Sequence, residues 1–195
     1  MNSRKDKYYN KARAVGYRSR AAYKLLEIDN KFDILERAHN ILELGASPGG
    51  WTDILLSREP DYLLSVDMLI QKSDEYPYAI RGDIRREDAW ERIADFLQGR
   101  EMDLILSDAM SHTSGQHDRD HASSVEICRA IVDYGTDVLR IGGNMLMKQF
   151  QGQYTEEFIR DYKPRFKRNY ITKPKASRDS SSEIYIIFAG YLGSD

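Results

Sequence analysis

Five short apolar runs recur along the chain: NILEL at 40–44, YLLSV at 62–66, DLILS at 103–107, NMLMK at 144–148 and IYIIFA at 184–189. Each is too short for a buried helix and too continuous for a strand with one wet face, so each reads as a strand covered on both sides. Helical patterns fall between several of them, from Ser19 to about Asn30, from near Gly50, and near 86–97, 122–140 and 154–162. Alternation of this kind specifies an α/β fold, a doubly wound and mostly parallel sheet. A further strand, about 166–172, is followed by KPKASRDSSS with no helix before the last apolar run, so the sheet should end in an antiparallel hairpin. No internal repeat or linker divides the 195 residues, which read as one domain, with a basic arm and helix over about residues 1–30.

The first strand runs into Gly45, Ala46, Ser47, Pro48, Gly49 and Gly50 before Trp51. In an open α/β sheet, ligands sit beyond the carboxyl ends of the strands, where this loop must lie. A dinucleotide fold would place glycine at the middle of G-x-G-x-x-G, to let backbone approach a pyrophosphate. Here that position is Ser47, followed by proline, which counts against a nicotinamide-dependent oxidoreductase. A glycine-rich turn also serves plain strand-to-helix packing, and both readings stay open at this point.

Three acids follow strands in the same way. Asp67 closes YLLSV, where a carboxylate can accept hydrogen bonds from both hydroxyls of a ribose. Asp83, in AIRGDI, ends another strand at a position suited to an adenine amino group, or else caps the helix at RREDAW. Asp108 closes DLILSD. Three carboxylates without a pyrophosphate loop suit a ligand that has ribose and adenine but carries positive charge, as the sulfonium S-adenosylmethionine does.

The net charge of −2 conceals a strong division. Residues 1–24 hold eight Lys or Arg against the single acid Asp6, with Tyr8, Tyr9, Tyr17 and Tyr23 interleaved, and residues 163–178 add seven more cations and no acid. The remainder is therefore acidic and should repel polyanions, while the two basic segments suit phosphates and stacking bases. The charged N-terminus lacks the apolar core of a secretory signal, no apolar run reaches membrane-spanning length, and Cys128 alone makes no disulfide framework. A cytoplasmic, monomeric protein without a membrane is the corresponding expectation. His112, His117 and His121 read as a surface-loop cluster without helical scaffold or accompanying cysteine, and no metal site is assigned.

Taken in order, DKYYNKARAVGYRSRAAYKLLEI at 6–28, ELGASPGGW at 43–51, the acid of SVDML, RGD at 81–83, LSDAM at 106–110, GGNMLMKQFQG at 142–152 and SRDSSSEIYII at 177–187 resemble the FtsJ/RrmJ (RlmE) family of ribosomal RNA ribose 2'-O-methyltransferases. The resemblance covers nearly the whole chain. It implies a Rossmann-like S-adenosylmethionine-dependent methyltransferase fold and a catalytic set at Lys24, Asp108, Lys148 and Glu183. It implies cofactor contacts at Gly49, Trp51, Asp67, Asp83 and Asp108, with the Gly45 backbone nearby. The implied substrate is a nucleotide, uridine by this resemblance, of 23S-type ribosomal RNA, with the assembled large subunit as partner. The sequence departs from the family after Asp108, where Ala109-Met110-Ser111-His112 replaces a Met-Ala-Pro-Asn-like run.

Methyl transfer from a sulfonium to a hydroxyl needs no acid for the leaving group. What the hydroxyl requires is orientation and removal of its proton. Lys148 can act as a base if burial and the like charge of Lys24 favour its neutral form, whereas Asp108 and Glu183 favour the ammonium and make the four charges an orienting set. A transfer-RNA ribose methyltransferase, and a non-catalytic RNA-binding or ribosome-assembly protein with this fold, remain as alternatives.

Overall fold

The computed structural model describes residues 7–70, 76–111, 113–178 and 180–193. In chain order the elements are α1 (Lys7–Val15), α2 (Ala21–Phe32), β1 (Asn40–Leu44), α3 (Gly50–Leu56), β2 (Tyr62–Asp67), β3 (Tyr78–Arg81) and α4 (Glu87–Leu97). There follow β4 (Met102–Ser107), α5 (His117–Gly135), β5 (Leu139–Phe150), α6 (Thr155–Tyr162), a 3₁₀ turn at Lys163–Arg165, β6 (Phe166–Thr172) and β7 (Glu183–Tyr191). The seven strands form one sheet in the order β3-β2-β1-β4-β5-β7-β6. β1, β2, β3, β4 and β5 pair in parallel, while β7 runs antiparallel to both β5 and β6. This is the expected doubly wound sheet with its terminal antiparallel hairpin.

Both faces are covered, which is why the strands read as continuous apolar runs. Along β1 the pleat sends Ile41 to one side with Leu25 and Ile28 of α2 and Trp51 and Ile54 of α3. Leu42 and Leu44 go to the other, with Trp90 and Ile93 of α4, Val125 and Ile131 of α5 and Phe158 of α6. The fourth β1 residue, Glu43, is the exception: a carboxylate that is 1% exposed on the α2/α3 side. The Thr52 and Ser65 hydroxyls donate to it at 2.8–3.0 Å, and burial pushes its carboxyl up to about 7.

Helix α5 is displaced from the expected 122–140. It begins at His117, because Asp120 in its first turn accepts the Ser114 and Gly115 N–H groups and the Ser114 hydroxyl, closing the preceding loop onto the helix. It ends at Gly135, which packs against Ile105, Met145 and Trp90. Leu139 then pairs with Met102, so the apolar residues after 138 belong to β5. Helix α1 has no apolar stripe to announce it; Ala12 alone is buried, in a small cluster with Tyr23 of α2 and Ala176 of the β6–β7 loop.

Candidate active site

Strand order reverses between β1 and β4, and in an open α/β sheet a ligand is expected at the carboxyl ends of the parallel strands around such a point. Because β7 is antiparallel, its first residue, Glu183, lies at the same end as the last residues of β5. The register places Lys148 opposite Tyr185, and Glu183, two residues earlier on the pleat, shares that face.

Four of the residues singled out from the sequence meet there as two ion pairs. Lys24 of α2 donates to Glu183 at 2.9 Å, and Lys148 Nζ stands 3.2 Å from Oδ1 of Asp108 while donating to the Asp108 carbonyl at 2.5 Å. Both lysines are buried, at 7% and 6% exposure, and each has an acid of its own, which is what makes burial of the charges tolerable. Tyr185 joins the pairs. Its hydroxyl donates to Asp108 Oδ1 at 2.8 Å, and the Lys24 ammonium lies 5.9 Å from its ring centre. Burial first, then the charges of Asp108 and Glu183, raise the phenol well above its ordinary value, so it remains a donor. Tyr185 was not singled out from the sequence, although its place two residues after Glu183 in a strand puts it on the same face.

The glycine-rich loop is bare for packing reasons that are now explicit. Gly45 has a positive φ of 72°, and a Cβ there would strike the Ala109 backbone, so only glycine lets the loop after β4 close onto the end of β1. Gly49, with φ 103°, lies against the Arg18 guanidinium, and Gly50 against the Ser19 hydroxyl. Arg18 is held there by Asp53, which accepts its backbone N–H and its Nε, both at 2.7 Å. Trp51 is buried, and its indole N–H donates to the Ala21 carbonyl at 2.9 Å, fastening α3 to α2; its ring packs tilted against Tyr185.

Asp67 ends β2 with one oxygen accepting the Ser47 N–H at 3.1 Å and the other the Leu69 N–H at 2.7 Å. Asp83 lies two residues beyond Arg81, the register partner of Asp67. It does not cap α4, whose N-cap is Arg86; instead it grips Arg85 through both oxygens, and those hydrogen bonds hold its carboxyl below the usual range. The structure therefore brings Asp67, Asp83, Gly49 and Asp108 to neighbouring strand ends.

The N-terminal basic segment converges with the last part of the second, residues 173–178, whereas Lys163, Arg165, Lys167 and Arg168 lie toward the opposite end of β7, where Phe166 pairs with Tyr191. Arg20 donates to the Ala176 carbonyl at 2.5 Å, the Lys175 N–H donates to Glu27, and Lys11 lies 4.7 Å over the Tyr23 ring. The exposed Lys11, Arg13, Lys173, Lys175 and Arg178 thus stand on the two elements, α1 and the β6–β7 loop, that meet α2 at this seam. Arg4 and Lys5 lie outside the described residues.

The histidine reading is corrected. His117 and His121 stand on α5 rather than in a loop, and His121 is 1% exposed, with both ring nitrogens engaged by backbone. His112 lies outside the described residues. Among the described residues no group of His, Cys, Asp and Glu is arranged to hold a metal, and no helix is long and apolar enough to cross a membrane.

The ribosomal RNA large subunit methyltransferase E of Picrophilus torridus is 44% identical over 189 residues, covering 95% of this chain and 97% of that relative. A Plasmodium falciparum chain described as a ribosomal RNA methyltransferase superposes at a TM-score of 0.80 with 32% identity, over 91% of this chain and 100% of that one. Human methyltransferase-like protein 13, crystallised in complex with SAH, shares the fold alone: TM-score 0.58, 13% identity, 88% of this chain and 80% of that one. Residues 17–191, from the turn before α2 to the end of β7, match the FtsJ-like methyltransferases, and the chain belongs to that family.

Proposed function

We propose that this methyltransferase moves a methyl group from S-adenosylmethionine to the ribose 2'-hydroxyl of a uridine in large-subunit ribosomal RNA. The observation that carries the reading is the two ion pairs built on buried lysines, Lys24–Glu183 and Lys148–Asp108, joined through Tyr185. The ribosomal substrate is supported by the names of the relatives, and the basic side chains that flank the seam supply the surface a polyanion needs.

The donor set fits the cofactor. Asp67, Asp83 and Asp108 line successive strand ends, a set that suits a cationic nucleoside and repels a pyrophosphate, and the space over Gly45 where phosphate would approach backbone is filled by Ala109. On this reading Asp67 takes the ribose hydroxyls, Asp83 the adenine amino group, Gly49 and Trp51 border the same pocket, and Asp108 faces the sulfonium. When bound, S-adenosylmethionine supplies a methyl carbon on a cationic sulfur that departs without a proton. The protein's own task lies with the nucleophile. Lys148 is held by the side chain and carbonyl of Asp108, which fixes its Nζ at the strand end where a ribose hydroxyl would enter. From there it can orient that hydroxyl and receive or electrostatically offset its proton. Lys24, fixed by Glu183, adds a second positive charge that favours the developing alkoxide.

The test is transfer of label from methyl-labelled S-adenosylmethionine to purified large subunits, free ribosomal RNA and transfer RNA. The expected product is an alkali-resistant dinucleotide from large-subunit RNA containing 2'-O-methyluridine. Label on a base, label only in transfer RNA, or no label at all overturns the proposal.

A further inference from the structure

The strand carrying Lys148 outruns its neighbour. β4 ends at Ser107, opposite Met147, yet β5 continues to Phe150, so on its β4 side the backbone from Lys148 onward has no strand to pair with. Helix α5 takes the strand's place. Cys128 Sγ donates to the Lys148 carbonyl at 3.3 Å, Ser124 Oγ accepts the Phe150 N–H at 3.1 Å, and His121 Nδ1 meets the Phe150 carbonyl at 2.7 Å. Residues 121, 124 and 128 fall on one helical face, and Ser124 is itself aimed by donating to the His121 carbonyl at 2.7 Å. The three side chains thus supply a ladder edge that the sheet lacks.

His121 does most of the fixing. Its Nε2 faces the Tyr154 N–H at 3.0 Å, and a backbone amide can only donate, so Nε2 must carry the lone pair. The ring proton therefore resides on Nδ1 and is given to the Phe150 carbonyl. One neutral ring consequently ties both ends of the turn leading from β5 to α6. The ring also lies parallel to Tyr154, with centroids 5.5 Å apart, and so close to Gly152 that a Cβ there would stand 2.5 Å from it.

We propose that His121 is a positioning residue for methyl transfer: through the Phe150 carbonyl and the Tyr154 N–H it holds the end of β5 that has no strand on its β4 side, and with it Lys148, in the geometry that presents Nζ to the substrate. The proposal rests on the reading of Lys148 as the group that meets the ribose hydroxyl.

The full-length protein carrying His121→Phe keeps an aromatic ring beside Tyr154 but loses both hydrogen bonds. It is expected to lower kcat by about 10- to 100-fold, with Kd for S-adenosylmethionine and KM for RNA moved by no more than about twofold. His121→Asn, whose amide can donate to Phe150, should recover part of kcat. Ser124→Ala, which removes the acceptor of the Phe150 N–H, should give a smaller loss of the same kind and serves as the test if His121→Phe does not fold. A wild-type kcat in a folded His121→Phe or Ser124→Ala protein, or a loss confined to KM, overturns the proposal. Lys148→Ala assayed alongside separates the two ideas. If it is inactive while the α5 variants are normal, the positioning role alone fails; if it is fully active, the assignment of Lys148 fails first.

Discussion

The Tyr185 hydroxyl donates to Oδ1 of Asp108 at 2.8 Å, and the same oxygen stands 3.2 Å from the Lys148 ammonium. One carboxylate oxygen thus sets the position of both a buried phenol and a buried lysine. Tyr185→Phe removes one donor from a charged acceptor without leaving a cavity. It should cost about 1.5 to 3 kcal/mol of stability and lower single-turnover methylation, as Asp108 is left to Lys148 alone. Urea denaturation and single-turnover rates check this; unchanged values in both would mean that the hydrogen bond is incidental.

Asp67 holds the Ser47 and Leu69 N–H groups and so couples the glycine-rich loop to the end of β2. Asp67→Ala should weaken S-adenosylmethionine binding by about 2 to 3 kcal/mol, the loss expected for charge-assisted hydrogen bonds to two hydroxyls. Calorimetry on a variant with an unchanged circular dichroism spectrum decides it, and unaltered affinity would remove Asp67 from the pocket.

The structure redistributes the work expected of the basic segments. Arg18 is tied to Asp53 of α3 and Arg20 to the Ala176 carbonyl, so both are fastened within the fold, whereas the exposed Lys11, Arg13, Lys173 and Lys175 stand on α1 and the β6–β7 loop that flank the seam. Replacing those four by glutamine should flatten the salt dependence of RNA binding by roughly 0.7 to 0.9 for each phosphate that is no longer neutralised. Cofactor affinity should not move. A salt slope equal to that of the unaltered protein would place the RNA elsewhere.

Glu43 gives the protein a pH dependence of defined sign. Its carboxyl titrates from an ordinary value of 4.5 up to about 7 in the folded state because it is buried, so the folded protein keeps a proton that the unfolded chain gives up. Its contribution to stability is therefore highest below about pH 4.5, declines as pH rises, and levels off above about pH 7, a total swing of roughly 3 kcal/mol. Glu43→Gln should remove that swing, becoming more stable relative to the unaltered protein at pH 8 than at pH 5. Equal differences in urea midpoints at the two pH values would show that Glu43 is ionised throughout.

What was legible in the sequence follows from what its local signals measure. Strands β1, β2, β4 and the apolar part of β5 announced themselves because burial on both faces leaves an uninterrupted apolar run. Helix α1 did not, since it rests on Ala12 alone and is otherwise wet and charged. The ends of α5 were misplaced because its start is set by Asp120 reaching back to Ser114 and its end by the ladder beginning at Leu139, neither of which is a periodicity. Lys24, Asp108, Lys148 and Glu183 were named through family resemblance, and geometry then brought them together. Tyr185 and His121 were hidden for opposite reasons. An aromatic within an apolar strand looks like core, and a histidine in a polar stretch looks like surface.

Lys148 can be a base or a positioning charge, and arginine separates the two. Arginine retains the positive charge and hydrogen-bond donors, but it does not give up a proton at neutral pH and so cannot accept one. Lys148 is 6% exposed and touches both the side chain and the carbonyl of Asp108, so Lys148→Ala would leave that half-buried carboxylate with the Tyr185 hydroxyl as its donor among the described residues. Both variants should still bind S-adenosylmethionine. If Lys148 removes the proton, Lys148→Arg should lose methyl transfer almost completely, and the rate of the unaltered enzyme should rise with pH in single turnovers. If it acts as a charge, Lys148→Arg should keep partial activity with no such rise. Substantial methylation by Lys148→Ala, at saturating RNA and cofactor, would remove Lys148 from the chemistry under either role.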